Sequence, residues 1–98
     1  MNNRIMLQFE KTTTNLVGNR MGNQVYKEKV APNLDENNTN VIVFANVIED
    51  IASSFIEGMY KELGEKYGKS AAMQIMILEA ENKETNEKIK ESIDTFGV

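Results

Sequence analysis

The chain has 98 residues, and the absence of histidine and cysteine limits its chemistry more than any other feature of its composition. Without cysteine there is no disulfide, thiol nucleophile or thiolate metal site. Without histidine there is no Ser-His-Asp triad and no imidazole metal ligand. The 11 basic and 15 acidic residues give a net charge of −4. An acidic chain of this kind lacks the basic surface needed to bind nucleic acid. We expect no enzymatic reaction and no cofactor.

No segment has the character of an export signal or a membrane span. The apolar run Ile5–Phe9 is too short for the core of a signal peptide. No apolar stretch approaches the ~20 residues that a membrane-spanning helix needs. The sequence therefore predicts a single cytoplasmic domain over residues 1–98, bound neither to membrane nor to nucleic acid.

The first half of the chain predicts a strand, a helix and a second strand. Ile5–Phe9 has apolar residues at alternate positions, as in a strand. Helical spacing begins near Asn19, and Pro32 is expected to end that helix because its ring lacks an N–H and restricts the residue before it. A loop rich in asparagine follows over residues 34–40. Val41–Ala45 is apolar without alternation, which favours a central strand covered on both faces.

The second half begins with the clearest helix. Its apolar stripe follows helical spacing and consists of Ile56, Met59, Tyr60, Leu63 and Tyr67. Gly68 is the expected C-cap. Ala72–Leu78 then predicts a third strand, and Glu81–Phe96 predicts a last helix with an acidic first turn.

The predicted order of elements is β-α-β-α-β-α. Strands separated by helices of about ten residues or more pair in parallel through right-handed crossovers. The sequence therefore predicts an α/β fold, a small layered structure with a mainly parallel sheet.

The junction between the second strand and its helix carries two serines. Ser54, with Glu57 three residues later, matches a capping box in which the serine is the N-cap. Ser53 lies just outside that predicted cap, with its hydroxyl free to face solvent. A phosphoryl group there would carry a charge of about −1.5 to −2 and meet the helix dipole. The sequence leaves two interpretations of Ser53 open, an ordinary loop serine and a phosphorylation switch.

Arg20 stands at the start of the first predicted helix, where a positive charge is unfavourable. The ordinary interpretation is a surface charge or an ion pair with Glu49 or Asp50 within the molecule. The functional interpretation is contact with an anion or a partner. The residue pattern alone leaves both interpretations open.

The segment from Val41 to Gly58, and Ser53-Ser54-Phe55 above all, resembles the STAS-like domains of unknown function. These are small bacterial and phage relatives of the STAS domains of sulphate transporters and anti-sigma-factor antagonists. Gly18–Gly22 and Ile77–Asn82 resemble further parts of that pattern, so the similarity covers most of residues 5–96. The resemblance implies a STAS-like form of the predicted fold.

In anti-sigma-factor antagonists the matching turn reads aspartate-serine-serine-glycine. Its first serine is phosphorylated by an anti-sigma kinase, a histidine-kinase-like ATPase that binds the unmodified protein. By position the resemblance gives that role to Ser53, with Ala52 in place of the aspartate and Phe55 in place of the glycine. We therefore expect a regulatory module that binds such a partner. The residues expected at its binding surface are Ser53, Ser54, Phe55, Glu57 and Arg20.

Two other interpretations remain. Residues 35–98 hold six lysines and thirteen acidic residues, so the chain also fits a phage or mobile-element inhibitor that contacts a host protein through its acidic surface. Strong salt dependence and indifference to Ser53 would favour this second function. Homodimerisation through an edge strand or a helix is also compatible with a chain of this size.

Overall fold

A parallel sheet and the helices that connect its strands form the framework of the molecule. The computed structural model describes residues 3–96. Its strands are β1 (Asn3–Leu7), β2 (Asn15–Leu16), β3 (Asn40–Phe44), β4 (Asp50–Ile51) and β5 (Met76–Ala80). Its α-helices are α1 (Asn19–Val25), α2 (Ser53–Tyr67), α3 (Lys69–Ile75) and α4 (Lys83–Phe96).

The main sheet has the order β1-β3-β5, with both pairs of strands parallel. Ile42 in the central strand is in register with Ile5 on one side and Leu78 on the other. These three side chains belong to one buried cluster with residues from all four α-helices, such as Val25 and Ile89. The predicted α/β fold with a parallel sheet is therefore confirmed.

A second, two-stranded parallel ladder extends the sheet region beyond β1 and β3. In it Asn15 is in register with Asp50, and Leu16 with Ile51. The Ala52 N–H continues the pairing by donating to the Leu16 carbonyl oxygen at 2.8 Å. The sequence did not predict β2 and β4, because strands of two residues are too short to show a hydrophobic period.

The first helical segment does not end ahead of Pro32 as predicted. Helix α1 continues as a π-helical turn, Tyr26–Val30, and then as a 3₁₀ turn, Ala31–Asn33. Pro32 lies at the start of that 3₁₀ turn, where its missing N–H has no helical partner to lose. The chain becomes extended only at Leu34.

The predicted third strand, Ala72–Leu78, is wrong in its first half. Gly68 has a φ of 90° and ends α2, as expected of a C-cap. The short helix α3 then occupies Lys69–Ile75, and β5 begins at Met76. Alanine and methionine are good helix formers, and α3 buries Ala72 in the core. Apolar character alone does not separate such a helix from a strand.

Asn40 anchors the amino-terminal edge of the sheet, although the sequence placed it in a loop. Its fully buried amide accepts hydrogen bonds from the Asn3 side chain and the Asp35 N–H, both at 2.9 Å. It donates to the carbonyl oxygens of Asp35 at 2.8 Å and Ile75 at 3.0 Å. One side chain therefore joins the beginning of all three main strands.

Helices α1 and α2 cross with their backbones in direct contact. A Cβ atom at Gly22 would overlap the Phe55 carbonyl oxygen, and one at Gly58 would overlap the backbone of Asn19. The crossing therefore accepts only glycine at these two positions, which fixes the start of α1 against the start of α2.

Replacing Gly58 with alanine is expected to lower the free energy of unfolding by about 3 kcal/mol, because the methyl group forces two backbones apart. Gly64 is the matched control, since it lies in the same helix with nothing within 4 Å of an added Cβ. Alanine there should raise stability by about 0.5–1 kcal/mol. Urea unfolding followed by circular dichroism measures both changes, and equal effects at the two sites would contradict the close crossing.

Candidate functional site

The carboxyl edge of the sheet gathers the beginnings of α1, α2 and α4. Each of these helices follows the carboxyl end of a strand in the chain, and open α/β sheets bind their ligands at this edge. Helix α2 is the longest of the three at 15 residues. The turn that leads into it carries the serines that the sequence singled out.

Ser53 is the first residue of α2, and its side chain is exposed. Ala52 precedes it in an extended conformation and is held by its hydrogen bond to Leu16. Within residues 3–96 no hydrogen bond involves the Ser53 hydroxyl. The hydroxyl is therefore presented to solvent at the positive end of a long helix, on a backbone fixed by the β2–β4 ladder.

The capping box predicted for Ser54 and Glu57 is wrong. The N-cap is Ala52, and no side chain caps the helix. The Ser54 hydroxyl instead accepts a hydrogen bond from the Gly18 N–H at 3.0 Å. The helix starts earlier than predicted because Ala52 is still paired with Leu16, so Ser54 lies inside the first turn and faces α1. Ser54 joins the beginnings of two helices.

Phe55 is fully buried and cannot form part of a contact surface in this structure, contrary to the sequence interpretation. Its ring packs edge-on against Phe44, with ring centres 6.2 Å apart. Phe44 in turn stacks on Phe9. Phe55 lies four residues before buried Met59 and so extends the apolar stripe of α2 by one turn. That spacing was the signal for a core residue.

Arg20 and Glu57 are both exposed, but they face different surroundings. Asp50 pairs with Lys88 of α4 at 3.1 Å. Among the described residues Arg20 pairs with neither Glu49 nor Asp50, so the internal ion pair is not observed and its guanidinium is exposed at the first turn of α1. Glu57 instead lines a groove between α2 and α3 of about 330 Å³.

Two exposed valines lie at the same edge as Ser53, and the sequence interpretation missed both. Val17 follows β2 and is 61% exposed, and Val47 lies in the loop before β4 and is 38% exposed. The partner of Leu16 in the ladder, Ile51, stands two residues before Ser53, which brings Val17 close to the turn. We call Val17, Arg20, Val47 and Ser53 the Ser53 surface. Apolar side chains beside polar ones are typical of protein interfaces.

A buried threonine of α4 supports the loop that carries Val47. The hydroxyl of Thr85 lies 2.9 Å from the Ile48 carbonyl oxygen and 2.8 Å from that of Glu49. The Asn82 side chain caps α4 by accepting from the N–H of Thr85 at 3.2 Å. Helix α4 therefore fixes the loop before β4 in position.

The groove beside Glu57 is lined by Tyr60, whose hydroxyl is already engaged in a hydrogen bond. The Tyr60 hydroxyl is buried and donates to the Met76 carbonyl oxygen. Burial raises the pKa of Tyr60, which opposes the formation of a phenolate. Within residues 3–96 no three acidic side chains are grouped closely enough to hold a metal ion.

A polar cluster of Glu36, Lys66 and Tyr67 lies at the far end of α2, about 20 Å along the helix from Ser53. The Tyr67 hydroxyl donates to Glu36 at 2.6 Å, and the Lys66 ammonium donates to the same carboxylate at 3.1 and 3.2 Å. These donors hold the pKa of Glu36 below its ordinary value. The cluster attaches the loop before β3 to α2.

Replacing Tyr67 with phenylalanine should raise the pKa of Glu36 toward its ordinary value of 4.5. A carboxyl group with a lowered pKa stabilises the folded state above its ordinary pKa and loses that contribution as pH falls through the lowered value. When the pH is lowered through the pKa of Glu36, the free energy of unfolding of the variant should therefore fall less than that of the natural chain. Side-chain NMR titration measures the change. Asp35, whose pKa is lowered by hydrogen bonds from Asn38 and Asn37, is the internal control and should not move.

Replacing Ser54 with alanine should lower the free energy of unfolding by about 1 kcal/mol, because the Gly18 N–H loses its acceptor. Replacing Ser53 with alanine should change it by less than about 0.5 kcal/mol, because that exposed side chain has no partner to lose. Urea unfolding of the two variants distinguishes the structural serine from the exposed one. Equal losses would contradict these assignments.

No protein-family model, curated protein or solved structure matched the chain. In the described part of the chain, no helix combines the length and the apolar character needed to cross a bilayer.

Proposed function

We propose that this protein is a non-enzymatic regulatory module that binds a protein partner through the Ser53 surface and the adjoining exposed side of α2. The observation that carries the proposal is the exposed Ser53 hydroxyl at the first position of α2. The backbone around it is fixed by the β2–β4 ladder and by the hydrogen bond between Ser54 and Gly18. A fixed surface binds with less loss of entropy than a mobile loop.

The environment of Ser53 also suits reversible phosphorylation. Within the described chain no acceptor pairs with the backbone N–H groups of Ser53 and Ser54, so both remain available at the positive end of α2. Two carboxylates that would repel a phosphoryl group, those of Glu49 and Asp50, lie four and three residues before Ser53. One of them, Asp50, is paired with Lys88, which offsets part of that repulsion.

Exposed Val17 and Val47 would supply apolar contact area around the serine. By the resemblance of the turn to anti-sigma-factor antagonists, the partner we propose is a histidine-kinase-like ATPase. Such a partner would bind the unmodified Ser53 surface and release it after phosphorylation, because the added charge would have to be desolvated at the interface.

Incubation of the protein with a cell lysate and ATP tests the switch. We expect a mass increase of about 80 Da, the mass of one phosphoryl group, localised to Ser53 and absent from the Ser53→Ala variant. Ser70 is the internal control, since it is also exposed and is the second residue of a helix, α3. Modification at Ser70 and not at Ser53 would contradict the proposed switch.

Binding of the captured partner tests the surface itself. Ser53→Asp and Val17→Asp should each weaken binding about tenfold or more, which corresponds to about 1.4 kcal/mol. Ser70→Asp adds the same charge at the matched control position and should leave affinity unchanged. Full affinity in the first two variants would remove the Ser53 surface from the interface. Loss of affinity with rising salt in all variants alike would instead favour the acidic-surface inhibitor.

A further inference from the structure

The groove between α2 and α3 is bordered by a row of alternating charges. Glu57, Lys61 and Glu65 recur every four residues, so they share one face of α2. All three residues are exposed and line the groove. Within residues 3–96 none of them takes part in an ion pair or a side-chain hydrogen bond. Their charges are therefore available to a second molecule.

Lys69 continues this row beyond the end of α2. It is the first residue of α3, it is exposed, and it lines the same groove. From one end of the groove to the other, the charges are therefore negative, positive, negative and positive. Lys69 also interacts within its own chain, so the unpaired Lys61 and Glu65 are the charges that decide what the row can bind.

The groove also contains a glycine that no contact inside the described chain requires. Gly64 lies between Lys61 and Glu65 in the sequence and lines the groove, and a Cβ atom added to it would meet nothing within 4 Å. Gly22 and Gly58, by contrast, are required by the close crossing of α1 and α2. Glycine inside a helix costs stability relative to alanine. The missing side chain leaves room for a second helix to approach α2 as closely as α1 does at Gly58.

We propose that two copies of this chain associate through this groove, with their α2 helices packed antiparallel. A two-fold axis perpendicular to α2, midway between Lys61 and Glu65, places each Lys61 beside the partner's Glu65 and Glu57 beside the partner's Lys69. Gly64 of each copy then lies next to the axis, where the helices are closest. A parallel pair would set every charge beside its own equivalent, with like charges together. The order of charges therefore selects the antiparallel pair.

The size of this face sets the strength of the dimer. The groove encloses about 330 Å³, and a helix of the length of α2 is about 22 Å long and about 10 Å wide. Such a face is well below the ~800 Å² that each partner commonly buries in a stable complex. We therefore expect a dissociation constant of roughly 10 µM to 1 mM. Sedimentation equilibrium should show the mass rising from 11.1 kDa toward twice that value over this range.

This dimer goes beyond the proposed function, because its occupant is a second copy of the chain. It covers the exposed side of α2 that the proposed partner also contacts, so the second copy and that partner would bind there in alternation. Val17→Asp, which is expected to weaken binding of the partner, should leave self-association unchanged. The two proposals can therefore fail separately.

A charge-exchange experiment identifies the interface. Lys61→Glu and Glu65→Lys each set like charges together across the two-fold axis, so each variant alone should associate about tenfold more weakly or worse. An equimolar mixture should recover the natural affinity, because each new carboxylate then faces a new ammonium group in the other molecule. Within each variant chain the two central charges remain alike, so recovery reports contact between molecules only.

The glycine gives a second test with changes of opposite sign. Gly64→Ala should raise the urea concentration at which the monomer unfolds, because alanine favours the helix. The same methyl group should weaken self-association about tenfold, because it occupies the room that the second helix needs. A loss of association caused by poorer folding would not accompany a gain in stability.

Matched controls separate these effects from net charge. Lys90→Glu and Glu87→Lys make the same changes in charge at exposed positions of α4, and neither should alter self-association. A natural chain that stays monomeric to about 1 mM, or a mixture that associates no better than its separate variants, would overturn the proposal. Dimers that persist in Gly64→Ala and in both charge variants would also overturn it and would indicate pairing through an edge strand.

Discussion

The contact between the backbones of α1 and α2 is the constraint on which the arrangement of the carboxyl edge depends. Because Gly22 and Gly58 carry no side chain, the two helices approach more closely than any other residue would permit. This closeness brings the Gly18 N–H within reach of the Ser54 hydroxyl. The hydrogen bond between them is local in space but joins residues 36 positions apart in the chain.

The amino ends and the carboxyl ends of the strands are held in place by different side chains. At the amino edge, Asn40 uses both its amide oxygen and its amide nitrogen to join neighbouring segments. At the carboxyl edge, Thr85 holds the loop before β4 in place through hydrogen bonds to its backbone, while the first turn of α2 is exposed at Ser53. The difference explains why Ser53 is exposed while the backbone beside it is fixed.

The sequence predicted the order of the main elements because their signals are local. The stripe from Ile56 to Tyr67 and the run from Val41 each identify one element without reference to the rest of the chain. The start of α2 depends on the pairing of Ala52 with Leu16, which no local pattern records. For the same reason the capping box was wrong and the β2–β4 ladder was missed.

The candidate site was predicted in part. The position of Ser53 at a strand-to-helix junction predicted an exposed serine. The prediction that Phe55 lies at the surface was wrong, because its spacing of four residues to Met59 places it on the buried stripe of α2. Val17 and Val47 had no signal in the sequence, since an isolated valine in a connector is ordinary. Their relevance arises only from the edge at which the fold places them.

The three strands of the main sheet lie side by side in the same order in which they occur along the chain. During synthesis, β1 and β3 can therefore pair, together with the segment that connects them, before the residues of β5 leave the ribosome. The last third of the chain then packs against the open side of β3. Each of these pairings still joins residues 36 or 37 positions apart in the chain, and parallel pairing over such separations forms slowly. Until β5 arrives, the open side of β3 is the point at which a nascent chain is most exposed to wrong pairing.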